Sequence, residues 1–512
     1  MRQHVYLLLS VLLPTIGHGA DPDAIGVQTL RQFDPSLRGV GIHVAHPEAG
    51  DPYWQASPLV VGQPETLFTW ISQAGSATNF PNSLGFESGH ADLVGLLLYG
   101  GGTNGVAPGL AHVDNYEAQF FYTNHIQKEI AIPARVVNQS FILVGETLTV
   151  NLAYDHYADK FGTLFVSGVG NGGGVNAPAT CYNGIGVAAW LGASSVGPTA
   201  DGRSKPDITA PADATSYSTP LVAGAGAILI QAGLRNDGGA GTASAASDLR
   251  TVKALLLNGA KKPSVWTNTS TAPLDPNFGA GILNIYNSYG QLRAGKRSPA
   301  EEDNVLIGNP HPPPANATYT RLRRGWDFNA VSGSTTRDGV NHYCFEVVSN
   351  VPRAFEFVGT LVWHRQDGES TINDLNLFLY NADSNSQVAS SESLVDNVEH
   401  ICARNLPPGR YNLQVFKRGG PPVTTVSSSE KYGLAFEFGP PEPAQFTNTQ
   451  HSGGQFSARL SAEPDHDYIV QRTADFVSWS PVLTNRTLAA GSFDFSVPES
   501  GPRNFYRAMR TP

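Results

Sequence analysis

One stretch near the middle of the chain constrains its fold most: Ala214-Thr215-Ser216-Tyr217-Ser218-Thr219-Pro220-Leu221-Val222-Ala223-Gly224. It presents a serine, places a proline four residues later, and continues into an almost entirely apolar run that ends at Gln231. Small residues occupy every side of this predicted helix, so the helix must be packed all round. Proline is tolerated in a first helical turn, because its missing N–H has no partner there. The stretch therefore predicts a buried helix with Ser216 at its N-terminus.

A serine at that place has two interpretations. Backbone N–H groups and the helix dipole favour developing negative charge there, which suits a nucleophilic hydroxyl. Serine is also a common helix N-cap with a purely structural role. The stretch alone does not separate the two interpretations.

Composition limits the class of protein. A chain of 512 residues with 54 glycines and 36 prolines is rich in turns, and its length predicts about three domains. A net charge of -10 without a basic stripe excludes nucleic acid as a partner. Three cysteines allow at most one disulfide and leave one thiol over.

The N-terminus resembles a targeting segment. Residues 1–20 contain Arg2, an apolar run at 5–13 and small residues near the end, the pattern of a cleaved signal peptide. No later run is judged long and apolar enough to span a membrane. The sequence therefore predicts a secreted protein, extracellular or periplasmic, without a membrane span.

Strands and helices are predicted to alternate along the first half of the chain. A short polar lead is expected at residues 21–38. Strands are expected at residues 39–45, from 110, at 135–140 and at 163–167, and helices from His90 and at 148–161. This alternation predicts an α/β fold with a doubly wound, mostly parallel sheet. Functional side chains collect at the carboxyl ends of such strands. Glu48, Ser140 and Asn171 follow predicted strands, and His90 and Ser216 begin helices.

Together these residues resemble the subtilisin-like serine proteases, the subtilases. Their nucleophile segment reads G-T-S-M-A-[ST]-P-x-V-A-G, which is similar to the stretch around Ser216. Further similar segments are Val106-Ala107-Pro108-Gly109, Gly197-Pro198-Thr199, Asp201-Gly202-Arg203, Lys205-Pro206-Asp207, Ala210-Pro211 and Gly279-Ala280-Gly281-Ile282-Leu283-Asn284. The likeness spans about residues 37–295.

The resemblance implies roles for the residues that match. Ser216 would attack the scissile carbonyl of a protein or peptide substrate, and His90 would take its proton. Asn171 would stabilise the oxyanion together with the backbone N–H of Ser216. Taken alone, His90 could be a plain helix-start residue, and Asn171 could supply a left-handed turn. By the same resemblance, four residues would bind substrate: Ser140, Phe141, Ile142 and Gly168.

The chain also departs from the family pattern. Glu48 stands where the family has an aspartate, with Asp51 as a rival and a plain strand-end carboxylate as a third interpretation. Ile142 replaces a glycine of the family's S-L-G turn, which alters the expected specificity pocket. Few residues precede Gly39, so no inhibitory propeptide is expected.

The second half of the chain has a Pro-rich segment followed by the residue pattern of short β-strands. Domains are expected at 21–296 (peptidase), 326–438 (a β-sandwich resembling pre-peptidase C-terminal domains) and 439–512 (a small fibronectin-III-like β module), with a Pro-rich linker at 297–325. The two β modules would bind a surface, a glycan or a partner protein. No cofactor is required; calcium stays open at Asp374, Asp396, Asn397 and Glu399, although solvated turn residues are favoured. A disulfide between Cys344 and Cys402 is also expected.

The sequence thus predicts a secreted subtilisin-type serine endopeptidase with Glu48 in the place of aspartate. Two alternatives stay open. The chain could be a catalytically impaired subtilase fold that acts as a binding scaffold, since Glu48 and Ile142 are altered. Alternatively, the C-terminal modules carry the main function.

Overall fold

The computed structural model describes residues 22–511, apart from 104, 144–146, 191, 309–310, 350–353, 421–425, 440–443, 463–466, 488–491 and 502. The predicted signal peptide therefore lies outside the described residues. The chain forms three successive parts, which are one α/β layer structure and two antiparallel β units.

The first part is built on an eight-stranded sheet. Its strands, together with the separate pair β2 and β5, are β1 (His43–Glu48), β2 (Tyr53–Gln55), β3 (Phe68–Ser72), β4 (Gly75–Ala77), β5 (Phe86–Glu87), β6 (His112–Glu117), β7 (Val136–Gln139), β8 (Leu164–Gly168), β9 (Ile185–Ala189) and β10 (Ile208–Ala210). The order is β10-β9-β8-β7-β1-β6-β3-β4, and all pairs are parallel except β3 with β4. The predicted mostly parallel sheet is therefore confirmed.

Helices accompany this sheet. They are α1 (Val27–Phe33), α2 (Pro58–Val61), α3 (Gly89–Tyr99), α4 (Ala118–Phe121), α5 (Thr147–Phe161), α6 (Thr215–Leu234), α7 (Ala243–Ala246), α8 (Leu249–Asn258) and α9 (Ile285–Arg293), with a 3-10 turn at Glu65–Leu67 and a π-helical turn at Tyr122–Ile126. The segment expected to be a polar lead instead contains α1, which packs on α9. Its buried Val27 and Leu30 explain the difference.

Helix α6 is the central helix that the small residues predict. It packs against α3 and against β7, β8 and β9. Its 20 residues are long and apolar enough to cross a membrane, contrary to the expectation that no such run follows the N-terminus. However, 89% of its most apolar window is buried inside the protein, as expected for a core helix.

The second part is a sandwich of two antiparallel sheets. Its strands are β11 (Glu301–Leu306), β12 (Arg324–Ser332), β13 (Arg337–Val347), β14 (Phe355–Trp363), β15 (Leu375–Asn381), β16 (Ser386–Ser391), β17 (Val398–Leu406), β18 (Gly409–Lys417) and β19 (Ser429–Gly439). The sheet orders are β11-β13-β18-β15-β16 and β12-β19-β14-β17. The segment predicted as a linker therefore contains a strand, β11. This strand forms because it pairs with β13 along its whole length.

The sandwich is docked on the first part. A Cβ at Gly433 would lie 2.3 Å from the carbonyl carbon of Arg250, so β19 approaches α8 at backbone distance. Arg365 Nη1 lies 2.8 Å from the buried carboxylate of Asp155. The ring of Tyr182 lies between the guanidinium groups of Arg203 and Arg365, each 4.4 Å from its centroid. The two parts therefore share a buried interface with polar contacts, and apolar side chains of the second part such as Trp326 and Val362 extend the core of the first.

The third part consists of two three-stranded antiparallel sheets. Its strands are β20 (Gln445–Ser452), β21 (Gln455–Ser461), β22 (Asp467–Thr473), β23 (Ser480–Arg486), β24 (Ser492–Pro498) and β25 (Phe505–Arg510). The sheet orders are β20-β21-β24 and β23-β22-β25. A small core of its own, which includes Phe456, Tyr468 and Phe495, holds the two sheets together.

The expected disulfide is not formed. Cys344 lies on β13 of one sheet and Cys402 on β17 of the other, and both thiols are free. The Cys344 sulfur accepts a hydrogen bond from Asn412 Nδ2 at 3.3 Å. The prediction failed because strand order, which pairwise spacing does not reveal, separates the two cysteines.

The residues considered for calcium were expected to be solvated turn residues, but all four are buried, and three of them, Asp396, Asn397 and Glu399, are hydrogen-bonded within the protein. Asp396 accepts from the backbone N–H of Ser204 at 2.7 Å, which ties the sandwich to the first part. Glu399 accepts from the hydroxyl of Ser391 and from the backbone N–H of Ser393. The Asn397 amide donates to the carbonyls of Tyr182 and Trp363, and Asp374 lies 3.7 Å from Arg418 Nε.

Candidate active site

Three adjacent strands end beside the N-terminus of α6. β1, β7 and β8 are neighbours in the sheet, and Glu48, Ser140 and Asn171 lie at or just after their carboxyl ends. Strand β1 runs on through Glu48, beyond the expected end at residue 45, because Pro47 and Glu48 pair with β6. The predicted site residues are thus collected at one edge of the sheet.

Glu48 and His90 form a direct pair. The Nδ1 atom of His90 lies 2.7 Å from Glu48 Oε1, and Glu48 is buried. His90 is the second residue of α3, whose N-cap Ser88 accepts from the Ala91 N–H. Asp51, the rival carboxylate, is exposed. The geometry therefore puts Glu48, and not Asp51, against the histidine ring.

Electrostatics support a charged carboxylate in this pair. Burial opposes ionisation of Glu48, but the charge of His90 and hydrogen bonds from His46 and His90 outweigh it and lower the pKa of Glu48 to about 2. Burial also opposes protonation of His90, yet the Glu48 charge and hydrogen bond raise the pKa of His90 above its ordinary value. Glu48 is therefore ionised at neutral pH and stabilises a positive charge on His90.

Glu48 has a second imidazole partner that the sequence interpretation missed. His46 Nε2 lies 3.4 Å from Glu48 Oε2, and its Nδ1 lies 2.9 Å from the hydroxyl of Tyr99. His46 is completely buried. Residues two apart on a strand share a face, so the strand period was the available signal. One imidazole therefore lies next to each oxygen of the Glu48 carboxylate, and only that of His90 makes a hydrogen bond of good geometry.

Ser216 lies inside α6 and not at its cap. The N-cap is Ala214, and Ser216 is the second helical residue, so the capping interpretation does not describe it. Pro220 is consequently inside the helix, not in its first turn. A proline cannot donate to the carbonyl four residues before it, which here belongs to Ser216. The hydroxyl of Ser140 donates to that carbonyl at 2.9 Å and replaces the missing bond.

The Ser216 hydroxyl is oriented by the same neighbour. Its Oγ donates to the Ser140 carbonyl at 3.3 Å. Within the described part of the chain, His90 Nε2 makes no hydrogen bond, and the ring of Tyr217 lies 6.1 Å from the His90 ring. Nucleophile-to-base hydrogen bonds are often long without substrate and tighten in the reacting complex. The half-buried Ser216 hydroxyl is therefore held by Ser140 in this structure, and a hydrogen bond to His90 would form only in the reacting complex.

Asn171 contacts the same helix start. Its Oδ1 accepts from both the backbone N–H and the hydroxyl of Thr215, each at 2.9 Å. The side-chain NH₂ group and the N–H of Ser216 have no acceptor among the described residues. The left-handed turn belongs to Gly170 (φ 103°) and not to Asn171. Two donors are thus available beside the serine.

Two of the residues expected to bind substrate, Ser140 and Gly168, contact the start of α6 instead. Ser140 is fixed by its reciprocal bonds with Ser216, and Ile142 is half-buried beyond the buried Phe141. Gly168 has a packing role, because a Cβ there would lie 3.1 Å from Thr219 Oγ1 and 3.2 Å from Thr215 Oγ1. Thr215 and Tyr217 were not predicted from the sequence as site residues, although both are next to Ser216 in the sequence. Thr215 contacts Asn171, and the ring of Tyr217 lies near that of His90.

Residues 81–281 match the sequence model of the subtilase family. The match supports a serine peptidase, and it includes His90, Asn171 and Ser216. Glu48 precedes the subtilase match, which covers less than half of the chain. The subtilase match ends before the second part and does not bear on its resemblance to pre-peptidase C-terminal domains.

Other comparisons add little to the subtilase match. No curated protein matches the chain. Among solved structures, similarity is found to a β-1,2-glucanase from Parabacteroides distasonis (10% identity, 48% of this chain, 36% of that chain, TM-score 0.17). A Ruminococcus gnavus β-glucuronidase is similar at 10% identity over 32% of this chain and 29% of that chain, with a TM-score of 0.12. The chain thus spans about a third of the length of these proteins, and similarity at this level says nothing about its activity.

Proposed function

We propose that this protein is a secreted serine endopeptidase of the subtilisin type, with Glu48 in the role usually held by aspartate. The observation that carries the proposal is the hydrogen bond between Glu48 and His90, together with Ser216 in the N-terminal turn of α6; His90 and Ser216, but not Glu48, lie in the segment that matches subtilases. The substrates are proteins or peptides.

The proposed reaction passes through an acyl-enzyme. Ser216 Oγ forms a bond to the scissile carbonyl carbon while its proton moves to His90 Nε2. The resulting oxyanion accepts hydrogen bonds from Asn171 Nδ2 and the Ser216 N–H. The C–N bond then breaks as His90 returns the proton to the leaving amine. Water repeats these steps, releases the acid and restores the serine.

A fluorophosphonate probe tests this function. Such probes modify only activated serines, so we expect one label per chain, on the peptide that contains Ser216, together with hydrolysis of casein. Absence of both results would contradict the proposal. A folded protein that is neither labelled nor able to hydrolyse casein would favour the binding scaffold, the second interpretation.

We expect Asn171→Ala to lower kcat by about 10²–10³-fold, the range for an oxyanion-hole amide in subtilisin. KM should change little, because the amide acts on charge that develops only in the transition state. Steady-state kinetics on a peptide anilide measure both constants. Asn124→Ala, which removes an amide bonded within its own helical turn, is the matched control. A raised KM with unchanged kcat would place Asn171 in substrate binding.

We expect kcat/KM to fall as the pH decreases through the raised pKa of His90. The general base must be neutral, and Glu48 raises the pKa of His90 by stabilising its protonated form. In Glu48→Gln the acid limb should therefore move to lower pH. His156→Asn, a histidine outside this site, should leave the profile unchanged. An acid limb at the same pH in Glu48→Gln would contradict the assignment.

The proposal includes secretion and accessory roles for the β units. The signal-peptide pattern of residues 1–20 supports export. We infer that the sandwich of residues 326–438 is a pre-peptidase C-terminal-like domain, and that residues 439–512 are a fibronectin-III-like module. A surface, a glycan or a partner protein is the proposed ligand class for these units. Deletion of residues 439–512 should reduce binding to such a ligand and spare peptide hydrolysis.

A further inference from the structure

A second cluster of reactive side chains lies at the opposite edge of the main sheet. His43 begins β1, and it pairs in register with His112, which begins β6. Asp114 follows two residues later on β6 and therefore points to the same side of the sheet as His112. His43 lies roughly 16 Å from Glu48 at a rise of about 3.3 Å per residue. The cluster is thus separate from the candidate active site.

The three side chains converge on one point. Asp114 Oδ2 lies 2.9 Å from His43 Nε2, and Asp114 Oδ1 lies 3.5 Å from His112 Nε2. One ligand atom from each residue lies within 4.8 Å of the others. Ligand atoms of a tetrahedral zinc site are about 3.4 Å apart, because each is about 2.0–2.1 Å from the ion. The spacing in the protein is therefore close to that of a metal site.

Two further observations point to a cation. His43 Nε2 is buried and makes no hydrogen bond of good geometry, despite its short distance to Asp114. Asp114 is only 5% exposed, and within the described part of the chain its ion-pair partners are the two imidazoles, with no lysine or arginine. A buried carboxylate without a fixed positive partner is costly. A bound cation would give His43 Nε2 a partner and would balance the negative charge of Asp114.

We propose that His43, His112 and Asp114 bind one divalent transition-metal ion of the zinc type. Two imidazoles and a carboxylate are ligands that zinc prefers. The side chains of His43 and His112 are 23% and 29% exposed, so the cluster lies close to the protein surface, and water would supply the fourth ligand. The hydroxyl of Thr69, 2.9 Å from His112 Nε2, lies beside this ligand set. The ion joins β1 to β6.

Cobalt(II) titration of the full-length, chelator-stripped protein tests the site, because tetrahedral Co²⁺ has intense visible absorption. We expect one Co²⁺ per chain, displacement by Zn²⁺, and a higher Tm with Zn²⁺. His112→Asn and Asp114→Asn should each weaken binding at least tenfold and abolish the Tm increase. Circular dichroism checks that each variant is folded.

The matched control is His156→Asn. His156 belongs to the other group that could hold a cation, with Glu129 and Asp367, so this variant should bind Co²⁺ as the wild type does. No Co²⁺ binding by the wild-type protein would overturn the proposal. It would also be overturned if His156→Asn lost the ion while His112→Asn kept it. The absence of Co²⁺ binding by the wild-type protein is sufficient to reject the proposal, even if a variant fails to fold.

Discussion

Ser216→Ala should abolish fluorophosphonate labelling and lower kcat for peptide hydrolysis by about 10⁶-fold, the loss for the nucleophile of subtilisin. Ser216 lies in the N-terminal turn of α6, where its own N–H and the Asn171 side-chain NH₂ group have no acceptor among the described residues. The fold should be unaffected, because the Ser140 hydroxyl bonds the backbone carbonyl of residue 216, which alanine retains. Labelling and hydrolysis are measured together with Tm.

The matched control for this variant is Ser218→Ala. Ser218 lies two residues further along the same helix, and its hydroxyl is buried and donates to the Thr215 carbonyl. Its removal should leave labelling at Ser216 intact. Hydrolysis by Ser216→Ala at the wild-type rate would show that another residue is the nucleophile.

Glu48→Gln should lower kcat by about 10⁴-fold, the effect of the equivalent acid-to-amide change in other serine proteases. The amide NH₂ can face His90 Nδ1 and favour the wrong ring tautomer, and a neutral group cannot stabilise the imidazolium. Because Glu48 is buried, is hydrogen-bonded to His90 and lies 3.4 Å from His46, circular dichroism must show that the variant is folded. Single-turnover acylation with a peptide ester measures the affected step directly.

Two further variants sharpen the Glu48 prediction. Glu48→Asp should recover only part of the lost rate, because its shorter side chain reaches less far than the 2.7 Å contact requires. Asp51→Asn changes an exposed carboxylate close by in the sequence and should behave as the wild type does. If Asp51→Asn lost activity while Glu48→Gln kept it, Asp51 would be the functional acid.

Much of the fold could be predicted from local patterns. The small residues of α6 required burial on all sides, and alternation of strand and helix indicated a parallel sheet. The errors concern segments whose state depends on distant partners. Helix α1 forms because α9 covers its apolar side, and β11 forms because β13 offers a free edge. Cys344 and Cys402 are separated by strand order in two sheets, which depends on connections across the whole sandwich.

For the site, the sequence by itself determined which residue types follow which elements: Glu48 and Asn171 after strands, His90 and Ser216 at helix starts. Tertiary structure decided how they act together. Pairing with β6 extends β1 to Glu48 and brings its carboxylate to His90. The hydroxyl of Ser140 donates the hydrogen bond to the Ser216 carbonyl that Pro220 cannot donate. Such relations depend on register and side-chain direction between elements far apart in the chain. Periodicity and propensity describe only one element at a time, and therefore cannot specify them.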